Sequence, residues 1–404
     1  MSRKNAFTVF VALVGAVLVQ TACSAPQKLQ WSCTVGDAVA CNSIGEKYAR
    51  GEDVQKDAGK AVTFYQKACD GGNAKGCSNL GLMYAKGVDV LKDDAKAVQL
   101  YQKACAVGDA VACNSIGEKY AKGEGVQKDV TKAVTLYQKA CDGSSAAGCD
   151  NLGLMYDDGG GMPKDEAKAV ALYQKACDGG TTAGCSHIGL MYENGAGVAR
   201  DEAKAVTLYQ KACDGGNARG CLLLGGMFTY GRGVESDQTK SAQLYRKACD
   251  GGEALGCHNL AVRYSTGAGV QRDVAKSVEY YQKACDGGEA RGCVNLGKMY
   301  ADGETVGQNP IKAVQLYEKG CNGGQAQGCH NLAVIYFDSN IYPKAVQFFK
   351  KACDMGMAGS CINLGYIYAN GKGVCPASTT FSGQRQLFFP IDDNYKLCDS
   401  LMLR

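Results

Sequence analysis

The chain has 404 residues, of which 44 are Lys or Arg and 40 are Asp or Glu. Its net charge of +4, with no Lys/Arg run, excludes the basic footprint of a nucleic-acid binder. Twenty-three cysteines beside three histidines exclude an ordinary protein of a reducing cytosol. The cysteine spacing also lacks the close pairs of zinc ribbons and fingers, so neither a metal nor another cofactor is expected.

Residues 1–22 read as a signal peptide. Arg3 and Lys4 give a positive start, and Phe7 to Val19 is apolar but short for a membrane span. Val19-Gln20-Thr21-Ala22-Cys23 resembles a bacterial lipobox with Gln20 in place of the usual Leu, and Cys23 would be the lipidated residue. Membrane attachment is expected only through that anchor; the alternative is a soluble product. Either form is secreted or periplasmic. A linker over 23–31 is expected to lead into a repeat array over 32–375, with an irregular tail over 376–404.

From residue 33 onward, a cysteine, seven residues and a second cysteine recur ten times. The pairs are Cys33 with Cys41, Cys69 with Cys77, Cys105 with Cys113, Cys141 with Cys149 and Cys177 with Cys185. They continue as Cys213 with Cys221, Cys249 with Cys257, Cys285 with Cys293, Cys321 with Cys329 and Cys353 with Cys361. Successive pairs lie 36 residues apart except the last, which follows after 32. A period of roughly 20–50 residues marks stacked supersecondary units, which favours one elongated monomeric array over separate globular domains.

Residues 73–105 illustrate one unit. Ala74, Cys77, Leu80, Gly81 and Tyr84 form one apolar stripe on a first helix, and Gly87 supplies its stop. Asp93 is placed to cap a second helix with the stripe Ala97, Val98, Tyr101, Ala104 and Cys105. The same cap recurs at Asp57, Asp129, Asp165, Asp201, Asp237 and Asp273, and Asn309-Pro310 keeps its logic in the ninth unit. Cys-Asp-Gly-Gly runs, as at Cys69 to Gly72, end the second helices. Mid-helix glycines such as Gly81 and Gly153 cost about 1 kcal/mol each against alanine, so they imply close helix approach. The chain is thus expected to be all-α, an α/α superhelix of about ten helical hairpins.

Cys77 could pair with Cys69 across the short turn or with Cys105 at the same end of its hairpin. The eight-residue step survives in all ten pairs, whereas the 28-residue step shrinks to 24 between Cys329 and Cys353. A covalent constraint resists deletion within its own loop, so the short loops are the expected disulfides, each stabilising its turn by roughly 2–3 kcal/mol. Residues 37–50 and 109–122 are nearly identical, which points to duplication of a two-repeat block. After Cys375 the helical period stops, and Cys398 lies in the tail.

The pattern G-C-x-N-L-G-x-M-Y followed by G-x-G-V-x-x-D-x-x-K-A-V-x-L-Y-x-K-A-C-D-x-G, plain in 184–216 and 292–324, resembles the Sel-one-like repeat family. With its cysteine pairs it is similar to the Helicobacter cysteine-rich proteins. The resemblance spans about 32–375 and implies a secreted or periplasmic superhelix, tetratricopeptide-like, with stapled hairpins. It also implies weak activity toward penicillin-type substrates, since members carry β-lactamase and penicillin-binding names.

The residues themselves lack such an active site. A serine with a lysine three residues on, a Ser-Asp-Asn element and a Lys-Thr-Gly element are all missing. Tyr192-Glu193-Asn194 and Tyr368-Ala369-Asn370 match a Tyr-x-Asn motif, but both tyrosines hold the ordinary position at the end of a first helix. His187, His258 and His330 lie 71 or 72 residues apart and read as groove or surface side chains.

A ladder two residues after the second cysteine stands out instead: Asn79, Asn151, Asn259, Asn295, Asn331 and Asn363, with Ser43, Ser115, His187 and Leu223 in the other units. A row of amides can grip an extended peptide or a cell-wall fragment, or can tie each helix to the neighbouring turn. Three functions therefore stand: a scaffold binding a peptide, protein or peptidoglycan-derived ligand on its concave face, a hydrolase acting on β-lactams, or a structural envelope protein.

Overall fold

The computed structural model describes residues 24–372 apart from 88, 304 and 305. The leader, Cys23 with its lipid-anchor reading, Cys375, Cys398 and the tail lie outside the described residues. Within them are twenty α-helices and no strand, in two compact units that divide after Ser236.

The first unit runs α1 (Ala25–Thr34), α2 (Ala38–Arg50), α3 (Ala58–Asp70), α4 (Ala74–Lys86), α5 (Asp94–Ala106) and α6 (Ala110–Lys122). It continues with α7 (Val130–Asp142), α8 (Ala146–Asp158), α9 (Glu166–Asp178), α10 (Thr182–Asn194), α11 (Glu202–Asp214) and α12 (Ala218–Tyr230). The second unit runs α13 (Gln238–Asp250), α14 (Ala254–Thr266), α15 (Val274–Asp286) and α16 (Ala290–Asp302). Its last helices are α17 (Pro310–Asn322), α18 (Ala326–Asp338), α19 (Tyr342–Asp354) and α20 (Ala358–Ala369). From α2 onward the even helices are first helices of a repeat and the odd ones second helices.

One boundary differs from expectation. The stretch read as a linker is helical from Ala25: Pro26 sits in the first turn, and the Ser24 N–H donates to Gln27 Oε1 at 3.0 Å. α1 delivers Cys33 to the first cystine and so plays the part of a second helix.

Local chemistry sets the other boundaries. Asp57, Asp93, Asp129, Asp165, Asp201, Asp237 and Asp273 each accept the backbone N–H three residues on, at 2.9–3.0 Å. Asn309 does the same for Lys312 with Pro310 beside it, and each cap contributes about 1 kcal/mol. The first helices from α2 to α16 stop on a left-handed glycine such as Gly87, φ 64°, whereas α18 and α20 end on Ser339 and Asn370 with φ −82° and −95°. At the ends of second helices only the second glycine is left-handed: Gly71 has φ −77° and Gly72 +83°.

All ten short loops are closed as cystines, with Cα separations of 4.4–4.8 Å. Cys41 is bonded to Cys33, Cys77 to Cys69, Cys113 to Cys105, Cys149 to Cys141 and Cys185 to Cys177 in the first unit. Cys221 joins Cys213 there too, and the second unit has Cys257 with Cys249, Cys293 with Cys285, Cys329 with Cys321 and Cys361 with Cys353. The long-loop alternative, Cys77 to Cys105, is not formed. Glycine makes the close junction sterically allowed, because a Cβ on Gly76 would lie 2.5 Å from Ala68 Cβ. Inside the hairpin, a Cβ on Gly81 would meet the Tyr101 ring at 2.8 Å, which is the close approach its mid-helix position implied. Leu80 and Ala97 are fully buried in the same cluster with Tyr65 and Ile116. Burial pushes the Tyr65, Tyr101 and Tyr137 hydroxyls up to about 12.

Candidate ligand-binding face on the first helices

Numbering each repeat from its second cysteine places the ladder at position +2. For Asn79, Asn151, His187 and Asn295 the partner is position +1 of the preceding first helix, 37 residues back. Asn79 Nδ2 donates to Asn42 Oδ1 at 2.9 Å and to Glu46 Oε1 at 3.4 Å, and Asn151 Nδ2 repeats this with Asn114 at 2.8 Å and Glu118 at 3.3 Å. The structural alternative is therefore corrected in its target for these two asparagines: they tie first helix to first helix, not helix to turn. Both amide hydrogens of Asn79 and of Asn151 are committed this way, which leaves their carbonyl oxygens for anything outside.

In the second unit, Asn295 Nδ2 lies 3.2 Å from His258 Nε2, while Asn259 Oδ1 lies 3.2 Å from His258 Nδ1. An amide nitrogen only donates and an amide oxygen only accepts, so the ring is neutral with its proton on Nδ1. Burial also lowers the His258 pKa. Asn331 Oδ1 accepts from Gln327 Nε2 at 2.7 Å, and Asn363 is half-buried without a hydrogen-bond partner among the described residues.

The histidines are likewise inter-repeat pins rather than free groove side chains. His187 Nδ1 contacts Asp150 Oδ1 at 2.8 Å in the same +2 to +1 register. His330 Nδ1 contacts Ser360 Oγ at 2.8 Å, but Ser360 is fully buried in the first turn of α20, so this serine–histidine pair is closed to an acyl substrate. Burial lowers the His330 pKa. Of the Tyr-x-Asn tyrosines, Tyr192 accepts Lys204 Nζ on its hydroxyl at 2.6 Å and Tyr368 packs on the cluster around Phe349. Among the described residues, no group of three or more His, Cys, Asp or Glu could hold a metal ion.

Two further positions share the ladder's face. Positions −2, +1, +2 and +5 are spaced i, i+3, i+4, i+7 and so form one stripe of a first helix. The chain's ten repeats supply their own comparison: −2 is Val39, Lys75, Val111 and Arg219 in four of them, and +5 is Glu46, Leu82, Lys298 and Tyr366. The glycine and tyrosine inside the hairpin hardly change from repeat to repeat. Position −2 is outermost, with Val39 and Val111 each 64% exposed, whereas Asn42 and Asn114 at +1 are buried. This variation is visible in the sequence, but it is less conspicuous than the asparagine that recurs at +2 in six of the ten units.

Where α4 faces the turn between α5 and α6, the stripe borders a cleft of about 450 Å³ lined by Lys75, Ser78, Asn79, Val107, Asp109 and Val111, among others. Lys75 Nζ reaches Glu46 Oε1 at 3.1 Å. Burial raises the Glu46 pKa, but hydrogen bonds from Lys75, Asn42 and Asn79 outweigh it and hold the carboxyl below its usual value. The cleft thus combines a charged edge, an amide and two exposed valines. No helix of the described residues is long and apolar enough to cross a membrane.

The Sel1 repeat model matches ten successive segments: residues 38–73, 74–109, 110–145, 146–181, 182–217, 218–253, 254–289, 290–325, 326–357 and 358–380. A protective antigen of uropathogenic Escherichia coli with an SLR fold is 30% identical, with a TM-score of 0.65, over 87% of this chain and 76% of that one. A Sel1 repeat protein from Oxalobacter formigenes is 26% identical, TM-score 0.54, over 76% and 89%. Helicobacter pylori cysteine rich protein B is 30% identical over 32% of this chain and 98% of its own, TM-score 0.27. No curated protein matches the sequence.

Proposed function

This chain belongs to the Sel1 repeat family, and from that premise we propose that it is an extracytoplasmic scaffold that binds a peptide or protein segment along the first-helix stripe. One observation carries this reading: the side chains that build the hairpins stay nearly constant through the array, while the stripe at −2 and +5 changes in size, charge and polarity. A constant frame with a changing face is what sequence-selective recognition by a repeat array requires. The cleft beside Asn79 supplies apolar contact from Val107 and Val111 and, in the Asn79 carbonyl oxygen, an acceptor for a backbone N–H. Ten cystines favour an oxidising compartment, periplasmic or external, with Cys23 as its membrane anchor if lipidated. The domain limits of the sequence reading, a signal peptide over 1–22 and a tail over 376–404, belong to the same proposal.

The test is selection of peptides from a random library by the oxidised full chain, followed by titration of the selected peptides against variants. Leu82→Asp and Val111→Asp are expected to weaken binding about tenfold or more with an unchanged melt. Peptides that bind these variants as tightly as the native chain would overturn the stripe. A muropeptide held at the same residues would move the ligand class to cell-wall fragments, and turnover of nitrocefin would restore the hydrolytic reading.

A further inference from the structure

We propose that the unit beginning at Asp237 carries a binding site for a phosphate or sulfate group, formed by Arg246, Tyr264, Arg272 and Lys276. These side chains line a cavity of about 390 Å³ together with Val270, Gln271 and Asp273. It lies at the loop end of the α14–α15 hairpin, away from the first-helix stripe, and is independent of peptide recognition there.

The chemistry of the lining is one-sided. Arg246 Nη2 donates to the Tyr264 hydroxyl oxygen at 2.5 Å. A guanidinium can only donate, so the hydroxyl accepts from it and keeps its own hydrogen to give elsewhere. Arg272 spends Nε on the Ser265 carbonyl at 3.1 Å, which leaves the other end of its fork. Lys276 lies over the Tyr264 ring, 5.4 Å from its centroid. The single acid, Asp273, already caps α15 through one oxygen and lies 3.3 Å from Lys276 Nζ through the other. Arg246 and Arg272 have no ion pair among the described residues. Three cations and a hydroxyl donor therefore meet one committed acceptor, a donor set complementary to an oxyanion.

The other repeats show what is unusual. Gln66, Gln102, Gln138, Gln174, Gln210 and Gln282 hold the position of Arg246 in six repeats, and Glu318 and Lys350 hold it in the two that follow. Most of the glutamines bond to the aspartate four residues on, as Gln210 does to Asp214, and Gln102 makes the neutral version of the tyrosine contact, Nε2 to Tyr120 Oη at 3.4 Å. Asp250 is available to Arg246 in the same way, yet the guanidinium turns to Tyr264 instead. Donors arriving from α13, α14, the loop and α15 suit a tetrahedral group with several acceptor oxygens better than a planar carboxylate.

The experiment is calorimetric titration of the oxidised full chain with inorganic phosphate, with sodium chloride at matched ionic strength and acetate as comparison ions. Phosphate should bind, and Arg246→Gln, which installs the residue that most other repeats carry, should weaken it about tenfold or more. Tyr264→Phe keeps the ring and removes only the hydroxyl, so it carries the test if Arg246→Gln lowers the melt. Lys204→Gln, at the equivalent loop of another repeat, should leave phosphate binding unchanged. Tighter binding of glycerol phosphate than of inorganic phosphate would identify a group borne on a larger molecule, and equal binding a free ion. Equal phosphate affinity in native and Arg246→Gln protein, or equal binding of acetate or chloride, would overturn the site.

Discussion

The two ends of each hairpin are held by different physics. At the junction from one repeat to the next, a cystine closes an eight-residue step, and lysines seal it: Lys139, Lys175 and Lys211 donate to the carbonyls of Cys105, Cys141 and Cys177 at 2.8, 3.0 and 3.1 Å. Those carbonyls lie at the negative end of a helix, where a cation is favoured. At the opposite end, joining first to second helix, nothing is covalent. There an aspartate caps the second helix and a lysine lies over the first helix's last tyrosine, 4.1 Å from the ring for Lys96 and Lys204. The difference decides where the array tolerates change. The four-residue deletion of the last repeat falls at the loop end, where Ser339 to Ile341 replace a connection such as Gly51 to Asp57. The aspartate cap is lost with it, while the cystine end keeps its spacing from Cys353 to Cys361.

Breaking the covalent end should have the largest effect. Each eight-residue loop stabilises by about 2.5 kcal/mol in the chain-entropy model. Reduction of all ten should therefore remove the cooperative helical melt, followed by circular dichroism against reductant. Replacing one pair, Cys177→Ala with Cys185→Ala, should cost about 2–3 kcal/mol. A fully reduced chain that melts as before would mean that packing alone holds the junctions.

Alkali separates packing from cross-linking, because it attacks the tyrosines inside the hairpins and leaves the cystine end tethered. An unfolded tyrosine ionises near pH 10, whereas Tyr65, Tyr101 and Tyr137 are held neutral up to about 12. The unfolded chain thus releases protons first, so stability is complete below pH 10 and falls between pH 10 and 12. Denaturant midpoints at pH 9 and pH 11 should differ in that sense, and equal midpoints would show that the hydroxyls reach water.

The repeat scaffold was legible because its determinants are local: Asp93 precedes the helix it caps, and Cys69 lies eight residues from its partner. α1 was missed although Ser24, Pro26 and Gln27 form a readable helix start, since the repeat consensus begins after it. The role of Asn79 was only half legible. Its residue type and periodicity are in the sequence, but its partner Asn42 is 37 residues away and becomes a neighbour only once the hairpins stack. Likewise Arg246 reads as an ordinary surface arginine until α13 and α14 bring it to Tyr264.

At the loop end, the cap should matter more than the lysine. Asp201→Ala removes the acceptor for the Lys204 N–H and should cost about 1 kcal/mol. The measurement is urea denaturation, and a cost equal to that of the paired-cysteine variant would erase the distinction between the two ends.

The smallest effect belongs to the lysine over the ring. Lys204 Nζ lies 4.1 Å from the Tyr192 centroid and donates to its hydroxyl at 2.6 Å, but the side chain is exposed, so water competes for the ammonium. Lys204→Met keeps most of the aliphatic stem and removes the charge, and it should cost about 0.5–1 kcal/mol. High salt should reduce the difference between native and variant chains, since exposed electrostatics are screened. A loss above that of Asp201→Ala that persists in high salt would show the lysine to be a packing element. The loop end would then be held as firmly as the cap allows, and the natural deletion in the last repeat would need a different explanation from weak local interactions.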